Sequence, residues 1–238
     1  MKLCLVMPVY NEEECIAQVV KDWAAEFSKH FKADEFRLLV VNDGSKDKTG
    51  QILDELAKEL TCLLPLHQIN GGHGNAVYNG YKEALNLNAE YIFQTDSDDQ
   101  FVAADFLLLW QQKEKSDFIL GQRKIRNDAF ARLVITRLVI LLNLFLFWKY
   151  IPDANIPYRL MKSSFLAQLV QKMNFIPFIP NIFLSILAAK KGANLLSIAV
   201  QHKERATGTV SILRWKLVKV CFLCAKQLVQ FRWALWFR

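Results

Sequence analysis

Residues 91–100, YIFQTDSDDQ, form an aromatic and β-branched run that ends in two carboxylates, Asp96 and Asp98. The run predicts a short buried strand, and side chains two residues apart at its end project to the same face. Two carboxylates at that separation repel each other unless a cation lies between them. Carboxylate and amide oxygens are the ligands that Mg²⁺ and Mn²⁺ prefer, so we predict a divalent-metal site at Asp96, Asp98 and Gln100.

Strands and helices alternate on the N-terminal side of this stretch. The apolar run Leu3–Met7, which Pro8 should stop, predicts a buried first strand. Asn11 and three glutamates then precede apolar residues at helical spacing, which predicts an N-capped first helix. Further strands are predicted at Phe36–Val41 and Leu63–Ile69, with helices through about Leu60 and from about Ala76 to Leu87. The alternation predicts an α/β fold with a mostly parallel sheet, in which ligands bind at the carboxyl ends of the strands.

Each of these strands ends in a polar or glycine-rich motif. The motifs, in chain order, are Pro8–Glu12, Val41–Ser45 with Asp47 and Thr49, Asn70–Ala76, and Asp96–Gln100. Together they resemble the ordered motifs of family 2 glycosyltransferases, whose Rossmann-like GT-A fold binds nucleotide-diphospho-sugars.

Later motifs extend the resemblance to about residue 211. They are Gly121–Arg123, Asp153–Asn155 with Tyr158 and Arg159, and Val200–His202 with Arg205 and Gly208. These are similar to the branch of the family that charges polyprenyl phosphates, typified by dolichol-phosphate mannose synthase. In that branch the metal motif often has the form D-x-D-x-Q, which this chain reproduces.

The resemblance implies roles for these residues in holding a UDP- or GDP-sugar. Asp43 would accept a hydrogen bond from the base, and Asp96 and Asp98 would hold the metal at the diphosphate, with Asp98 and Arg205 assisting catalysis. His73 stands where the family often has Lys or Leu, and we interpret it as a lining residue. The nucleotide-sugar-binding residues implied are Pro8, Tyr10, Glu12, Asp43 and Asp96.

The acceptor decides whether a catalytic base is needed. A phosphate monoester has its second pKa at ~6 and is already anionic at neutral pH, whereas a sugar hydroxyl requires a base. A phosphate acceptor requires cationic side chains beyond the metal site. Arg123 ends a predicted strand, Asp117–Gly121, and a predicted helix from about Ala129 to Lys149 carries a narrow polar stripe. We therefore predict acceptor-phosphate binding by Arg123, Arg132 and Thr136, although the stripe on the helix is also compatible with a purely structural role.

Two other functions stay open at this point. A saccharide hydroxyl could be the acceptor in cell-surface polysaccharide synthesis, with Asp99 or Asp153 as the base. Alternatively, the chain could be an inactive nucleotide-binding subunit of a membrane complex, because His73, Pro157 and Val210 depart from the family pattern.

The C-terminal sequence predicts contact with a membrane surface. From Arg205 onward there are seven basic residues and no acidic one, which accounts for the whole net charge of +7. Tryptophans alternate with these basic residues, the composition of an interfacial helix. The apolar stretch Leu133–Ile151 is interrupted by Arg137, Asn143 and Lys149, which favours an interfacial helix over a spanning one.

We therefore expect a catalytic domain at 1–211 and a membrane-interface tail at 212–238. The protein is expected to be peripheral or monotopic on the cytoplasmic face of a membrane. A membrane-protein partner is compatible with that location, and no nucleic-acid partner is expected because a nucleic-acid recognition motif is lacking.

Overall fold

A computed structural model describes residues 1–123, 141, 144–148, 151, 153–173, 176–203 and 214–236 of the 238-residue chain. A seven-stranded sheet forms its centre, in the order β3-β2-β1-β4-β6-β5-β7. All pairings are parallel except those of β6, which runs antiparallel to both β4 and β5. The mostly parallel α/β fold predicted from the sequence is confirmed. The strands are β1 Leu3–Val9, β2 Phe36–Asn42, β3 Leu63–His67, β4 Tyr91–Gln94, β5 Phe118–Arg123, β6 Arg159–Lys162 and β7 Leu196–Val200.

Helices connect the strands and cover the sheet because each buries an apolar stripe. In the first helix, for example, Ile16, Val19, Val20, Trp23 and Phe27 are buried at helical spacing. A short 3₁₀ turn at Ala103–Asp105 precedes the fourth helix. The helices are α1 Ile16–Ser28, α2 Thr49–Glu59, α3 His73–Asn86, α4 Phe106–Trp110, α5 Ser163–Gln171, α6 Pro180–Lys190 and α7 Arg214–Trp236.

The first strand does not stop at Pro8, and that boundary prediction was wrong. Strand β1 continues to Val9, with Pro8 opposite Val41 of β2. The pairing of β1 with β4 ends at Val6, so Pro8 has a paired strand on one side only. A proline without an amide hydrogen is tolerated in such a half-paired position.

The carboxyl ends of β1, β2, β4 and β5 meet at one edge of the sheet because these four strands run in the same direction. The antiparallel strand β6 begins at that edge, with Arg159 opposite Gln94 of β4. An aromatic cluster beneath the edge joins α1 to β4 through Trp23 and Phe93. The edge is therefore anchored to the core.

The predicted helix from about Ala129 to Lys149 lies mostly outside the described residues; within it, residues 144–147 are helical. Helix α7 covers most of the predicted tail. Among the described helices, none combines the length and apolar character needed to cross a bilayer.

Candidate functional site

A cleft of about 480 Å³ opens at the carboxyl ends of β1, β2 and β4. It brings together all five residues predicted to bind the nucleotide sugar, and His73 lines it as well. The lining residues are Pro8, Val9, Tyr10, Glu12, Asp43, Asn70, Gly72, His73, Ala76, Asp96, Ser97 and Asp98.

Asp96 and Asp98 follow β4 and line the cleft together. The Oδ1 atom of Asp96 is buried and has no hydrogen-bond partner among the described residues. Burial, first, and the negative charge of Asp98, second, raise the pKa of Asp96 to about 8. A bare carboxylate pair is thus unfavourable at this position, and a cation would compensate for both causes.

The donor set fits Mg²⁺ or Mn²⁺ bound together with a diphosphate. No cluster of three or more His, Cys, Asp or Glu side chains suited to a metal occurs in the described part of the chain. Mg²⁺ needs no such cluster, because it is commonly held by one or two carboxylates, water and substrate phosphates. The side chain of Gln100 donates through its Nε2 atom to the carbonyl of Lys203 at 3.3 Å, and a metal would be bound by its Oε1 atom instead. Its role as a metal ligand stays a prediction.

Two arginines place positive charge next to the carboxylates. Arg123, at the end of β5, and Arg159, at the start of β6, both lower the pKa of Asp96, although less than burial raises it. Arg159 is fully buried and donates to the carbonyls of Ala154 and Ile156, and to that of Asn181 in α6 at 3.1 Å. This guanidinium therefore fixes the chain segment 154–156 to α6 near Asp96.

Asp43 organises the glycine-rich loop between β3 and α3. The residue is 3% exposed, and its carboxylate accepts hydrogen bonds from the backbone amides of Gly71 and Gly72, each at 2.8 Å. The side chain of Gln68 donates a third, at 2.7 Å. An ionised carboxylate offers about four acceptor sites, so one remains for a ligand. Base recognition by Asp43 stays a prediction, and its contact with the loop is an additional role.

The loops after β1 and β2 are joined by hydrogen bonds that the sequence analysis did not assign. The amide of Asn11, which has a positive φ of 52°, donates to Ser45 Oγ at 3.0 Å, and the amide of Glu12 donates to Thr49 Oγ1 at 2.9 Å. Burial opposes the ionisation of Asp47, but hydrogen bonds from Thr49 and the backbone of Glu13 outweigh it and lower its pKa. The motif residues Ser45, Asp47 and Thr49 thus hold the wall of the cleft that carries Glu12.

The residues predicted to bind the acceptor are only partly described. The Nε atom of Arg123 lies 3.7 Å from the Oδ2 atom of Asp153, which is itself buried. Arg132, Thr136 and Arg205 lie outside the described residues.

Asp99 and Asp153 are the two residues considered as bases for a saccharide acceptor. Asp99 has a positive φ of 55°. Its carboxylate lies 3.8 Å from the Nζ atom of Lys203. Both residues line a second cleft of about 280 Å³, beside α1. Asp99 therefore lines a different cleft from the one that Asp96 and Asp98 line.

Comparison with known proteins agrees with this geometry. The family model Glycosyl transferase family 2 matches residues 4–172. An uncharacterised protein of Methanocaldococcus jannaschii is 29% identical over 241 residues, covering 95% of this chain and 97% of that protein. An undecaprenyl-phosphate 4-deoxy-4-formamido-L-arabinose transferase of Photorhabdus laumondii subsp. laumondii is 25% identical, covering 93% of this chain but 66% of the relative. A dolichyl-phosphate beta-glucosyltransferase of Trichomonas vaginalis is 32% identical over 111 residues, covering 45% of this chain and 33% of that protein.

Solved structures share the fold. Glucosyl-3-phosphoglycerate synthase of Mycobacterium tuberculosis, bound to Mn²⁺, UDP-glucose and phosphoglyceric acid, has a TM-score of 0.67 at 15% identity, covering 96% of this chain and 80% of that chain. TarS residues 1–349 of S. aureus, in complex with UDP-GlcNAc, has a TM-score of 0.59 at 22% identity, covering 89% and 62%. At these identities the likeness shows the architecture alone.

Proposed function

This chain belongs to glycosyl transferase family 2, and we propose that it transfers a sugar from a UDP- or GDP-sugar to a polyprenyl phosphate, with inversion at the anomeric carbon. The observation that carries the proposal is the pair Asp96 and Asp98 in the cleft, with Oδ1 of Asp96 buried and lacking a hydrogen bond from the described residues. Such a pair is suited to a cation that is shared with a diphosphate.

The donor is proposed to bind in the cleft formed by Pro8–Glu12, Asp43 and the glycine-rich loop. A divalent cation at Asp96 and Asp98 would supply Lewis-acid stabilisation of the diphosphate leaving group. The chain's own part is to orient the nucleotide, because Asp43 holds the loop at Gly71 and Gly72 while Ser45 and Thr49 hold the opposite wall. Preorganised walls reduce the cost of aligning the reacting atoms.

The acceptor is proposed to be a phosphate because of the charges near the carboxylate pair. Arg123 lies close enough to Asp96 to lower its pKa, so an anion bound at Arg123 would lie near the sugar. Both carboxylates considered as bases already face a cationic side chain, Asp99 at Lys203 and Asp153 at Arg123. A phosphate nucleophile requires no base, whereas a saccharide hydroxyl does.

Two relatives are named for acceptors of this class, an undecaprenyl phosphate and a dolichyl phosphate. The chain spans about two thirds of the first of these relatives, so the transfer to this protein is a proposal. A polyprenyl phosphate is anchored in a bilayer, and we accordingly propose that the protein is peripheral on the cytoplasmic face of a membrane. The division into a catalytic domain at 1–211 and a membrane-interface tail at 212–238 belongs to the same proposal.

The deciding experiment is an assay of the full chain with a panel of UDP- and GDP-sugars, a short polyprenyl phosphate and Mn²⁺. We expect a lipid-linked sugar that is lost in excess chelator and restored by added Mn²⁺ or Mg²⁺. Product formed only on saccharide acceptors would identify the saccharide alternative, and donor binding without transfer to any acceptor would support the inactive subunit.

Arg123→Gln distinguishes the two substrate sites. We expect it to raise the KM for the polyprenyl phosphate by about tenfold, the effect of losing one charge-assisted contact, while the Kd for the nucleotide stays unchanged. Lys115→Gln, at an exposed position beyond α4, is the matched control. Equal losses of nucleotide and acceptor binding would assign Arg123 to the donor.

A further inference from the structure

The large apolar side chains exposed on this protein are concentrated in three segments. Ten of the fourteen that are exposed in the described chain lie at residues 141–148, 176–178 and 222–233, which we call the aromatic face. Trp148 and Phe145 are 83% and 80% exposed, and Phe222 and Trp233 of α7 are 74% and 61% exposed. Scattered apolar residues are normal on a soluble surface, whereas a concentration of this kind indicates an interaction site.

The three segments are neighbours in space. The rings of Phe147 and Phe231 lie 6.1 Å apart, which joins the first segment to α7. The amide of Phe178 donates to Gln227 Oε1 at 3.0 Å, which joins the second segment to α7. Helix α7 is itself attached to the core, because Cys224, Leu228 and Phe231 are buried at helical spacing. The aromatic face is therefore assembled from separate parts of the chain on one scaffold.

Basic side chains lie on and near helix α7 of the aromatic face. Lys226 falls on the exposed stripe of α7 that includes Phe222, Val229 and Trp233. Partial burial and the nearby charges of Arg232 and Lys172 lower the pKa of Lys190, which marks a cluster of like charges. After Asp153, the remaining sequence contains Glu204 as its one acidic residue, against thirteen basic residues.

We propose that the aromatic face docks as a unit on an anionic lipid bilayer, with Phe145 and Trp148 inserted beside Phe222 and Trp233. Aromatic side chains with basic neighbours are the combination that binds the interface of anionic membranes. A protein partner with a matching apolar surface would not require the basic side chains of Lys226 and Arg232 among and beside the exposed rings of α7. The proposal locates the contact on three segments and not on the tail alone. It deepens the proposed function, because the same surface would hold the enzyme where its acceptor is anchored.

The test is sedimentation of the full chain with vesicles, which requires neither donor nor acceptor. We compare vesicles of phosphatidylcholine with vesicles of phosphatidylcholine and phosphatidylglycerol. We expect binding to the anionic vesicles that weakens at high salt without disappearing, since screening removes the electrostatic part alone. Failure to bind anionic vesicles, or equal binding to neutral ones, would overturn the proposal.

Paired substitutions locate the contact. Phe145→Ser with Trp148→Ser, outside the tail, should lower the partition coefficient by about tenfold or more, as should Phe222→Ser with Trp233→Ser. Leu108→Ser on α4 is the matched control and should leave binding unchanged. If the variant with Phe145→Ser and Trp148→Ser binds vesicles as well as the unaltered protein does, the tail alone is the anchor. The proposal that the three segments of the aromatic face bind together is then refuted.

Charge is tested in the same way. Lys226→Gln with Arg232→Gln should lower binding to anionic vesicles by about 25-fold, fivefold for each charge, while Lys21→Gln with Lys58→Gln should have no effect. The protein could instead form a dimer in solution and fail to bind vesicles. If Phe145→Ser with Trp148→Ser then abolished that dimer, the aromatic face would be assigned to contact with a second copy of the chain. Vesicle binding without any transferase activity would sustain this inference and refute the proposed function, so the two failures are distinguishable.

Discussion

At the scale of single residues, Asp96 and Asp98 differ in their hydrogen bonding. Asp96 has a buried oxygen and a raised pKa, whereas Asp98 accepts a hydrogen bond from the amide of Gln100 at 3.3 Å. The unfavourable burial of Asp96 is tolerated because it leaves an oxygen available to a ligand. We therefore expect the pair to favour cation binding and to lower the stability of the protein when no cation is bound.

Asp98→Asn tests this arrangement. We expect transfer to fall by at least about 100-fold, because loss of a direct ligand should cost no less than loss of a supporting one. The thermal midpoint of the metal-free protein should stay the same or rise, since a repulsive charge beside Asp96 is removed. A transfer assay measures the first effect, and thermal unfolding with and without Mn²⁺ measures the second. An undiminished increase in midpoint on adding Mn²⁺ would contradict the assignment.

Arg159 makes a different contribution, to stability. Its guanidinium satisfies carbonyls of Ala154, Ile156 and Asn181 in the interior. Arg159→Met should lower the free energy of unfolding by about 3–5 kcal/mol, because several buried acceptors lose their donor. Urea denaturation measures the loss. Lys162→Met, at an exposed position of the same strand, should change it by less than ~1 kcal/mol, and similar values for both variants would contradict this role.

The residues of the cleft are predictable from the sequence, whereas the hydrogen bonds that support them are not. Parallel strands bring their carboxyl ends together, so Asp43 and Asp96 could be placed at one edge from the alternation of elements alone. The bonds from Gly71 and Gly72 to Asp43 join residues 28 and 29 apart, and no local pattern encodes such a pairing. The end of β1 was predicted wrongly for a similar reason. Whether the strand can continue through Pro8 depends on where its pairing with β4 ends.

At the scale of elements, helix α3 connects the cleft that contains Asp43 and Asp96 to the aromatic face. Its N-terminus follows the loop held by Asp43, and a Cβ on Gly74 would overlap the carbonyl oxygen of Pro177. The next residue, Phe178, is bonded to Gln227 of α7. The glycine thus permits the helix and the 176–178 segment to touch backbone to backbone.

Gly74→Ala should separate α3 from that segment and displace the amides that bind Asp43. We expect weaker donor binding, by about tenfold, because the cleft is no longer preorganised. Isothermal titration with UDP- or GDP-sugar measures the Kd, and Lys82→Ala, on the exposed side of the same helix, serves as the control. Unchanged donor affinity in Gly74→Ala would show that the contact between α3 and the 176–178 segment does not shape the cleft.

At the scale of the whole molecule, the C-terminal helix α7 packs against the hydrophobic core of the rest of the chain. Phe231 is buried against Phe183 of α6, with ring centroids 5.1 Å apart, and against Phe147. The sequence predicted a basic, aromatic tail from its composition, but this long-range burial has no signature in the tail itself. The boundary proposed at residue 211 therefore does not coincide with a boundary between hydrophobic cores.

Phe231→Ala tests that interpretation. Removing a buried aromatic ring typically costs 3–5 kcal/mol, so we expect a loss of about that size in urea denaturation if α7 is part of the cooperative unit. Faster cleavage within 212–238 in limited proteolysis should accompany it, because the helix would open more often. Trp233→Ala, on the exposed stripe of the same helix, should leave the denaturation midpoint unchanged while weakening vesicle binding. If Phe231→Ala leaves the midpoint unchanged and accelerates cleavage of the tail alone, α7 is an independent appendage whose attachment contributes nothing to the stability of the catalytic domain.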